Sequence, residues 1–351
     1  MRCWGYNGEV GALGDGLSTH TKGFLDADCS PSPVAVVGVL AQSLASGNET
    51  ACAITSAADS ELICWGLNPN TGIGSPAPTA LSVAGPPTYV GVRVELAVVA
   101  SGSMYVGGND GQRRGLWGSG AAPPSPEPTR RALPTTDPTL MDVRAAEMGF
   151  YHACAVLGSG RAQCWGRNEQ GELGDGTTTD RAAPVDVVGL SGITQLAAGV
   201  NFTCALIGTN VHCWGTNLLG QLGRVTSGAP SAPDATASGR VASLTDVQEI
   251  EAGLDFACAR RGDGTVWCWG SDEFGQLGDD EAHAPCGAAP CSTTRVQVAG
   301  ITSAIDLAAG SEHACALLAE GGVRCWGRNH FGQLGDGTFI DRSTSVEVPG
   351  L

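Results

Sequence analysis

The stretch Cys164-Trp165-Gly166-Arg167-Asn168-Glu169-Gln170-Gly171-Glu172-Leu173-Gly174-Asp175-Gly176 contains the signature that recurs along this chain. An Asn or Asp follows three residues after the Trp of each intact copy, and in most copies a Gly-x-Leu-Gly turn comes next. The Trp-Gly pairs are 48 to 61 residues apart, a spacing that indicates a repeat protein. Leu116-Trp117-Gly118 is interpreted as a degenerate copy, and the other copies of Cys-Trp-Gly contain Trp4, Trp65, Trp214, Trp269 and Trp326.

Each unit also has a first half, for example Ala198-Gly199-Val200-Asn201-Phe202-Thr203-Cys204-Ala205-Leu206. Two or three turn residues such as Gly208-Thr209 separate it from the Cys-Trp-Gly half, which predicts a β-hairpin. A run of alternating Val follows the Gly-x-Leu-Gly turn, and a fourth apolar run precedes the Ala-Gly element. Four short strands in about 50 residues predict a propeller blade.

The combined pattern resembles the repeat of the regulator of chromosome condensation family, in a cysteine-rich form of bacterial type. The resemblance covers most of the chain and weakens between residues 67 and 140. It implies an all-β fold, a seven-bladed β-propeller of four-stranded antiparallel blades. We therefore predict one domain over residues 1–351, with units at Trp4, Trp65, Trp117, Trp165, Trp214, Trp269 and Trp326. All of these tryptophans except Trp117 are predicted to fill the core between blades.

The two ends of the chain predict one incomplete blade. Residues 1–16 match the second half of a unit, and residues 346–351 are interpreted as a strand that opens a further unit. Joining the ends closes a propeller ring and removes an exposed sheet edge. We expect the native protein to begin upstream of Met1, with a leader and the missing hairpin there.

Composition narrows the classes of partner. The formal net charge is −16, and Lys22 is the only lysine. Because nucleic-acid affinity depends on neutralising phosphates with Lys and Arg, we predict no nucleic-acid binding. No apolar run reaches the length of a membrane span.

The cysteines recur in pairs, one on each strand of a hairpin. Directly opposed positions lie within disulfide reach, and the degenerate unit lacks both cysteines together, with Gly107 and Leu116 interpreted as the equivalent positions. The alternatives are reduced cysteines that pack between blades and, less favoured without a Cys-x-x-Cys spacing, zinc ligands. The predicted hairpin pairs are Cys52 with Cys64, Cys154 with Cys164, Cys204 with Cys213, Cys258 with Cys268 and Cys315 with Cys325, and a loop pair is Cys286 with Cys291.

So many bridges predict an oxidising compartment: extracellular, periplasmic or at the cell surface. Reduced cysteines would instead place the protein in the cytoplasm. Cys3 and Cys29 have no assigned partner.

No catalytic, cofactor or metal site follows from the sequence. His152 and His313 occupy a slot that also accepts Thr, Tyr and Phe, which indicates packing, and the other histidines have no metal or catalytic spacing. The segments 175–180 and 336–341 resemble calcium loops only weakly, and Asp-Gly turn chemistry is favoured.

The long connections predict where a partner binds. They follow the Gly-x-Leu-Gly turns and therefore project on one face, which rigid scaffolds use for display. We predict a non-enzymatic scaffold for protein–protein interaction. The alternatives are a guanine-nucleotide exchange factor-like regulator of a small GTPase, which the resemblance implies, and a glycan-binding propeller. The candidate partner-binding residues are Asp26, Asp28, Arg130, Arg131, Asp279 and Asp280.

Overall fold

The computed structural model describes residues 140, 142–225, 238–287 and 289–351, together with ten strands between residues 2 and 107. All the regular structure in these residues is β-strand. The described part holds no helix with the length and apolar character of a membrane span.

The strands form seven consecutive antiparallel sheets, numbered here as blades 1 to 7. Blade 1 contains β1 (Arg2–Tyr6), β2 (Thr21–Lys22) and β3 (Asp28–Ala35). Blade 2 contains β4 (Ala41–Ser46), β5 (Thr50–Thr55), β6 (Leu62–Asn68) and β7 (Ile73–Leu81). Blade 3 contains β8 (Pro87–Val92), β9 (Leu96–Ala100) and β10 (Ser103–Gly107).

The C-terminal half contains the blades described in most detail. Blade 4 contains β11 (Val143–Met148), β12 (His152–Leu157), β13 (Ala162–Gly166) and β14 (Arg181–Asp186). Blade 5 contains β15 (Ile193–Ala198), β16 (Phe202–Ile207), β17 (Asn210–Gly215) and β18 (Gly239–Arg240). Blade 6 contains β19 (Val247–Ala252), β20 (Phe256–Arg261), β21 (Val266–Ser271), β22 (Pro285–Cys286) and β23 (Ala289–Gln297). Blade 7 contains β24 (Ala304–Ala309), β25 (His313–Leu318), β26 (Val323–Gly327) and β27 (Arg342–Glu347).

Within each four-stranded blade, every strand pairs with the next strand along the chain. From blade 3 to blade 7, the first strand of each blade packs against the first two strands of the blade before it. The all-β fold of antiparallel blades predicted from the sequence is confirmed. That residues 1–351 form one domain stays a prediction.

The tryptophans join successive blades. Trp165, Trp214, Trp269 and Trp326 are at most 1% exposed. The indole N–H of each of the last three donates to the backbone carbonyl of the x residue in the preceding blade's Gly-x-Leu-Gly turn, at 2.9 Å. The second Gly of that turn packs under the indole. At Gly278, where φ is +70°, a Cβ would lie 2.7 Å from Trp326. The repeated signature therefore encodes an interface between blades.

The hairpins place the cysteines as predicted. The sulfurs of five pairs lie at disulfide distance, and in the four hairpin pairs the Cα atoms are 4.0 to 4.1 Å apart. The fifth pair, Cys286 with Cys291, clips the β22–β23 hairpin. Cys52 is disulfide-bonded and lies opposite Cys64 in the strand register.

The interpretation of the C-terminal strand was wrong. Residues 342–347 form the outermost strand of blade 7, paired with β26, and open no further unit. The Val-rich run after a Gly-x-Leu-Gly turn returns to its own blade, as β14 does in blade 4. In blade 1, β1 and β3 have the register of the third and fourth strands of the other blades.

The alignment of the degenerate unit was also wrong. In blade 3, Ala97 lies opposite Val106, and the bulge in β8 identifies β8 as the first strand. Ala97 and Val106 therefore stand where the other hairpins have cysteines, and the predicted equivalents Gly107 and Leu116 do not. The shift arose because β9 and β10 lack the Cys and Trp residues that mark the corresponding strands elsewhere. Leu116 and Trp117 lie outside the described residues.

Candidate partner-binding face

The antiparallel blades divide the connections between two faces. The connections from strand 1 to strand 2, such as residues 199–201, and from strand 3 to strand 4, such as residues 167–180, lie on one face, here called the loop face. The hairpin turns and the links between blades lie on the opposite face. The long connection of blade 6 that the structure describes, between β21 and β22, therefore lies on the loop face.

Backbone hydrogen bonds hold the inner part of the loop face together. Phe150 N–H donates to the carbonyl of Gly199 at 3.0 Å, and Val200 N–H donates to that of Leu254 at 2.8 Å. Leu254 N–H in turn donates to the carbonyl of Ser311 at 2.8 Å. These bonds join blades 4 to 7 in sequence, so this part of the loop face is a rigid scaffold for its side chains.

An Asn organises the turn on the outer part of the loop face in blades 4, 5 and 7. In blade 4, Asn168 Oδ1 accepts from Leu173 N–H at 3.0 Å, and its Nδ2 donates to Asp175 Oδ1 at 3.1 Å. Arg181 Nε donates to the other oxygen of Asp175 at 2.9 Å. Blade 7 repeats this arrangement with Asn329, Asp336 and Arg342.

The Asp175 carboxylate is fully engaged by protein donors. Burial alone would raise its pKa, but hydrogen bonds from Thr177, Arg181 and Asn168 hold the pKa below its ordinary value. Hydrogen bonds from Thr338 and Arg342 likewise hold the pKa of Asp336 below its ordinary value, against the effect of burial. Protein donors thus occupy the positions that calcium would need, which favours plain turn chemistry for segments 175–180 and 336–341.

Glu172 departs from this repeated frame. The x residue of the Gly-x-Leu-Gly turn is Gln in blades 5, 6 and 7, and Gln221 Nε2 donates to Asp255 Oδ1 at 3.0 Å. In blade 4 the residue is Glu172, which is fully buried, and burial raises the pKa of its carboxyl. Among the described residues, Glu172 Oε1 and Asn201 Oδ1 are both buried without a hydrogen-bond partner.

The turn positions around this hydrogen-bond network carry side chains that vary between blades. The residue after the Cys-Trp-Gly glycine is Arg in blades 4 and 7, Thr in blade 5 and Ser in blade 6. Blade 4 places Arg167 over the ring of Tyr151 at 5.1 Å and pairs it with Glu169. In blade 5, Leu218 is 46% exposed. Sequence variation is thus displayed on a constant backbone.

Blades 6 and 7 form an aromatic–arginine cluster on the loop face, defined by Phe274, Glu312, Arg328, His330 and Phe331. The Arg328 guanidinium lies 4.8 Å from the ring centre of Phe274 and 5.8 Å from that of Phe331. Arg328 pairs with Glu312, and its Nε donates to His330 Nδ1 at 3.2 Å. All five side chains are partly exposed. This cluster lies across the boundary between two blades.

The predicted partner-binding residues have other surroundings. Asp280 Oδ1 accepts from the Ser343 hydroxyl at 2.8 Å, and Asp279 forms a β-bridge with Thr344, so both residues fasten the blade 6 loop to blade 7. Asp28 lies in β3 opposite Lys22. Asp26, Arg130 and Arg131 lie outside the described residues.

Sequence reasoning missed the aromatic–arginine cluster. It searched for charges in long connections, whereas the cluster occupies short turns inside the repeat. The signal that could have found it is the variation at fixed repeat positions, such as Phe274 and Phe331 where blade 4 has Gln170.

One group of described residues has donor atoms close enough to share a metal ion. Donor atoms of Asp272, Asp279 and His283 all lie within 4.8 Å of one another. All three belong to the turn and inserted loop of blade 6.

Comparison with known proteins identifies the repeat. Two sequence families, both described as regulator of chromosome condensation (RCC1) repeat, match this chain. One matches residues 143–172, 247–276 and 304–333, and the other matches residues 159–206 and 263–317.

Curated proteins match much of this chain at 26 to 30% sequence identity. The human E3 ubiquitin-protein ligase HERC2 is 30% identical over 260 residues, which is 73% of this chain and 5% of HERC2. The ultraviolet-B receptor UVR8 of Arabidopsis thaliana is 26% identical over 212 residues, 59% of this chain and 46% of UVR8. The chain thus spans less than half the length of these relatives.

Solved structures share the fold. Prp20p from Saccharomyces cerevisiae, studied for its binding to Gsp1p and histones, has a TM-score of 0.80 at 19% identity, over 99% of this chain and 85% of its own. Human WBSCR16 has a TM-score of 0.79 at 19% identity, over 99% and 93% of the two chains.

Proposed function

Because the chain belongs to the regulator of chromosome condensation repeat family, a family of β-propellers, we propose that it is a non-enzymatic scaffold that binds a protein partner through its loop face. The observation that carries the proposal is the aromatic–arginine cluster of blades 6 and 7. Aromatic residues and Arg are the residue types enriched at protein interfaces and at their energetic hot spots. Here they are partly exposed and held by a hydrogen-bonded frame.

The rigidity of the loop face favours binding. A side chain already held in place loses little conformational entropy when a partner binds. Arg328 is held by Glu312, His330 and two phenyl rings, so its guanidinium is oriented before contact. The fold neighbour Prp20p is also described in complex with a protein, Kap60.

The test is affinity capture with matched variants. The full chain is immobilised and exposed to extract from its source organism, beside F274A/R328A on the loop face and V188A/E320A on the opposite face. We expect the wild type and V188A/E320A to retain the same specific protein and F274A/R328A to lose it at least tenfold. Equal retention by all three, or a loss only in V188A/E320A, would contradict the proposal.

Guanine-nucleotide exchange is the second candidate from the sequence, and a direct assay separates it from binding. Release of a fluorescent guanine nucleotide from small GTPases of the same organism is measured with and without the full chain. We expect no acceleration. An accelerated release that F274A/R328A abolishes would replace the scaffold by an exchange factor.

We also propose that the protein works in an oxidising compartment, outside the cell, in a periplasm or at the cell surface. The support is the placement of five cysteine pairs at disulfide distance. Disulfides persist in such compartments and are rare in the cytosol.

A further inference from the structure

Blade 6 lacks two groups that blades 4 and 7 use to balance a buried carboxylate. In blade 4, the Asn168 amide and the Arg181 guanidinium both donate to Asp175. The Asp after the turn is retained in blade 6 as Asp279, but the Asn is replaced by Asp272. Ser292 stands opposite Gly270, where Arg181 stands opposite Gly166.

These replacements change the net charge at this position of the blade. Blades 4 and 7 have one carboxylate and one guanidinium there, whereas blade 6 has the two carboxylates of Asp272 and Asp279 and no equivalent guanidinium. The side chains of Asp272 and Asp279 are only 9% and 10% exposed, so water screens their repulsion poorly. A pair of facing carboxylates in such surroundings needs a cation or a proton between them.

The inserted loop brings a nitrogen donor to the two carboxylates. His283 Nε2 lies 3.2 and 3.1 Å from the two carboxylate oxygens of Asp279 and 3.8 Å from Asp272 Oδ2. The His283 side chain is 14% exposed. Ligands bound at about 2.0 to 2.2 Å to one transition-metal ion are separated by roughly 3.0 to 3.5 Å, close to these distances.

We propose that Asp272, Asp279 and His283 form a binding site for a divalent transition-metal ion, with Zn²⁺ as the best fit. One imidazole nitrogen and two carboxylate oxygens suit zinc, whereas Mg²⁺ and Ca²⁺ prefer oxygen ligands alone. Three protein ligands leave a coordination position open to solvent or to a group from a partner. The ion supplies the positive charge that Arg181 and Arg342 supply in the sibling blades.

The neighbouring contacts leave Asp272 free to act as a ligand. Its Oδ1 accepts from Leu277 N–H at 3.0 Å, the same turn contact that Asn makes elsewhere, so Oδ2 is the oxygen turned to His283.

The test uses the full chain freed of metal by a chelator and titrated with ZnCl₂ near neutral pH by calorimetry, with the melting temperature measured in parallel. We expect one Zn²⁺ per chain and a higher melting temperature with the ion. D272N restores the Asn of blades 4 and 7, which keeps the Leu277 contact. It should melt higher than the wild type without metal, show no further rise with Zn²⁺, and bind at least tenfold more weakly.

Two more variants complete the test. H283Q removes the nitrogen ligand and should lose binding at least tenfold, whereas E281Q changes an exposed carboxylate of the same loop and should bind normally. Absence of Zn²⁺ binding to the wild type, or binding that D272N and H283Q leave unchanged, would overturn the proposal.

Discussion

At the scale of single residues, one-atom differences between sibling positions create the unusual groups of this protein. Glu172 differs from Gln221 only by an oxygen in place of an NH₂ group, yet Gln221 is bonded to Asp255 and Glu172 Oε1 has no partner among the described residues. Asp272 differs from Asn168 in the same way. In both cases the other blades show which hydrogen bonds the amide side chain makes at the same position.

Substituting Gln for Glu172 should stabilise the protein at pH 7. The buried carboxyl has a raised pKa, so the folded state holds its proton to a higher pH than the unfolded state does. The free energy of unfolding therefore falls as pH rises above the unfolded-state pKa of about 4.5. Gln does not ionise, so the substitution removes that fall. We expect E172Q to gain about 1 kcal/mol in urea denaturation at pH 7 and nothing at pH 4.

The reverse substitution in blade 5 is the matched control for E172Q. Q221E places a carboxylate against Asp255 and should destabilise the protein at pH 7, with a smaller loss at pH 4. A gain for E172Q that is the same at both pH values would contradict the role given to ionisation.

Glu249 provides a second titration. Burial, followed by a hydrogen bond and repulsion from Asp306, raises its pKa to about 7 in spite of Arg260 Nε at 2.7 Å. Because the folded-state pKa exceeds the ordinary value of 4.5, this group lowers stability as pH rises from about 4.5 to 7. E249Q should flatten the stability curve over that interval. Parallel curves for the two proteins, measured by urea denaturation at pH 5, 6, 7 and 8, would argue against this assignment.

At the scale of elements, a disulfide links the two central strands of a blade, and an indole on the third strand bonds to the preceding blade. Blade 3 shows that the sulfur is dispensable to the hairpin itself, because Ala97 and Val106 face each other at the cysteine positions. The Cys204–Cys213 pair of blade 5 can therefore be replaced by the Ala and Val that blade 3 has at these positions.

C204A/C213V copies the blade 3 pair and should reduce the free energy of unfolding by about 2.5 kcal/mol, since it releases a short loop in the unfolded chain. Urea denaturation without reductant measures the loss. Under strong reductant the variant and the wild type should differ by less than half of that amount. A difference that reductant does not change would show that packing, and not the covalent link, stabilises the hairpin.

Trp269 tests the link between blades. W269F leaves the Gln221 carbonyl buried without its donor and should cost about 2 to 4 kcal/mol, by thermal or urea unfolding. Trp267 is the control, because its indole donates within its own hairpin to Thr265 at 3.1 Å and the side chain is only partly buried. W267F should cost less than half as much as W269F. Equal losses would mean that the inter-blade hydrogen bond contributes little.

At the scale of the whole molecule, the oxidation state of the cysteines indicates the compartment in which the protein works. The chain has 14 cysteines, and the predicted pairs involve 12 of them, which leaves Cys3 and Cys29. Alkylation of the protein under denaturing conditions without reductant, followed by peptide mass spectrometry, should label at most those two. Labelling of Cys154, Cys204, Cys258 or Cys315 in protein purified from its natural source would contradict the extracytoplasmic proposal.

The sequence predicted some residues of the candidate site and missed others for a definable reason. Asp279 and Asp280 were found as acidic loop residues, but the structure uses them to fasten a loop and to face His283. Arg260 is largely buried against Glu249, with its side chain 18% exposed. These environments depend on residues from another strand or blade, which no local pattern reveals.

The sequence by itself determined the repeat, the hairpins with opposed cysteines and the inter-blade tryptophans of the described blades. Each of these follows from strand alternation and turn chemistry within a few residues, or from identity between units. Only the tertiary structure decided the register of blade 3, the blade to which residues 342–347 belong, and the meeting of Asp272, Asp279 and His283 and of Phe274 with Arg328. These depend on contacts that cross from one strand or blade to another, often about 50 residues apart, where burial and charge are set by neighbours that the local sequence does not contain.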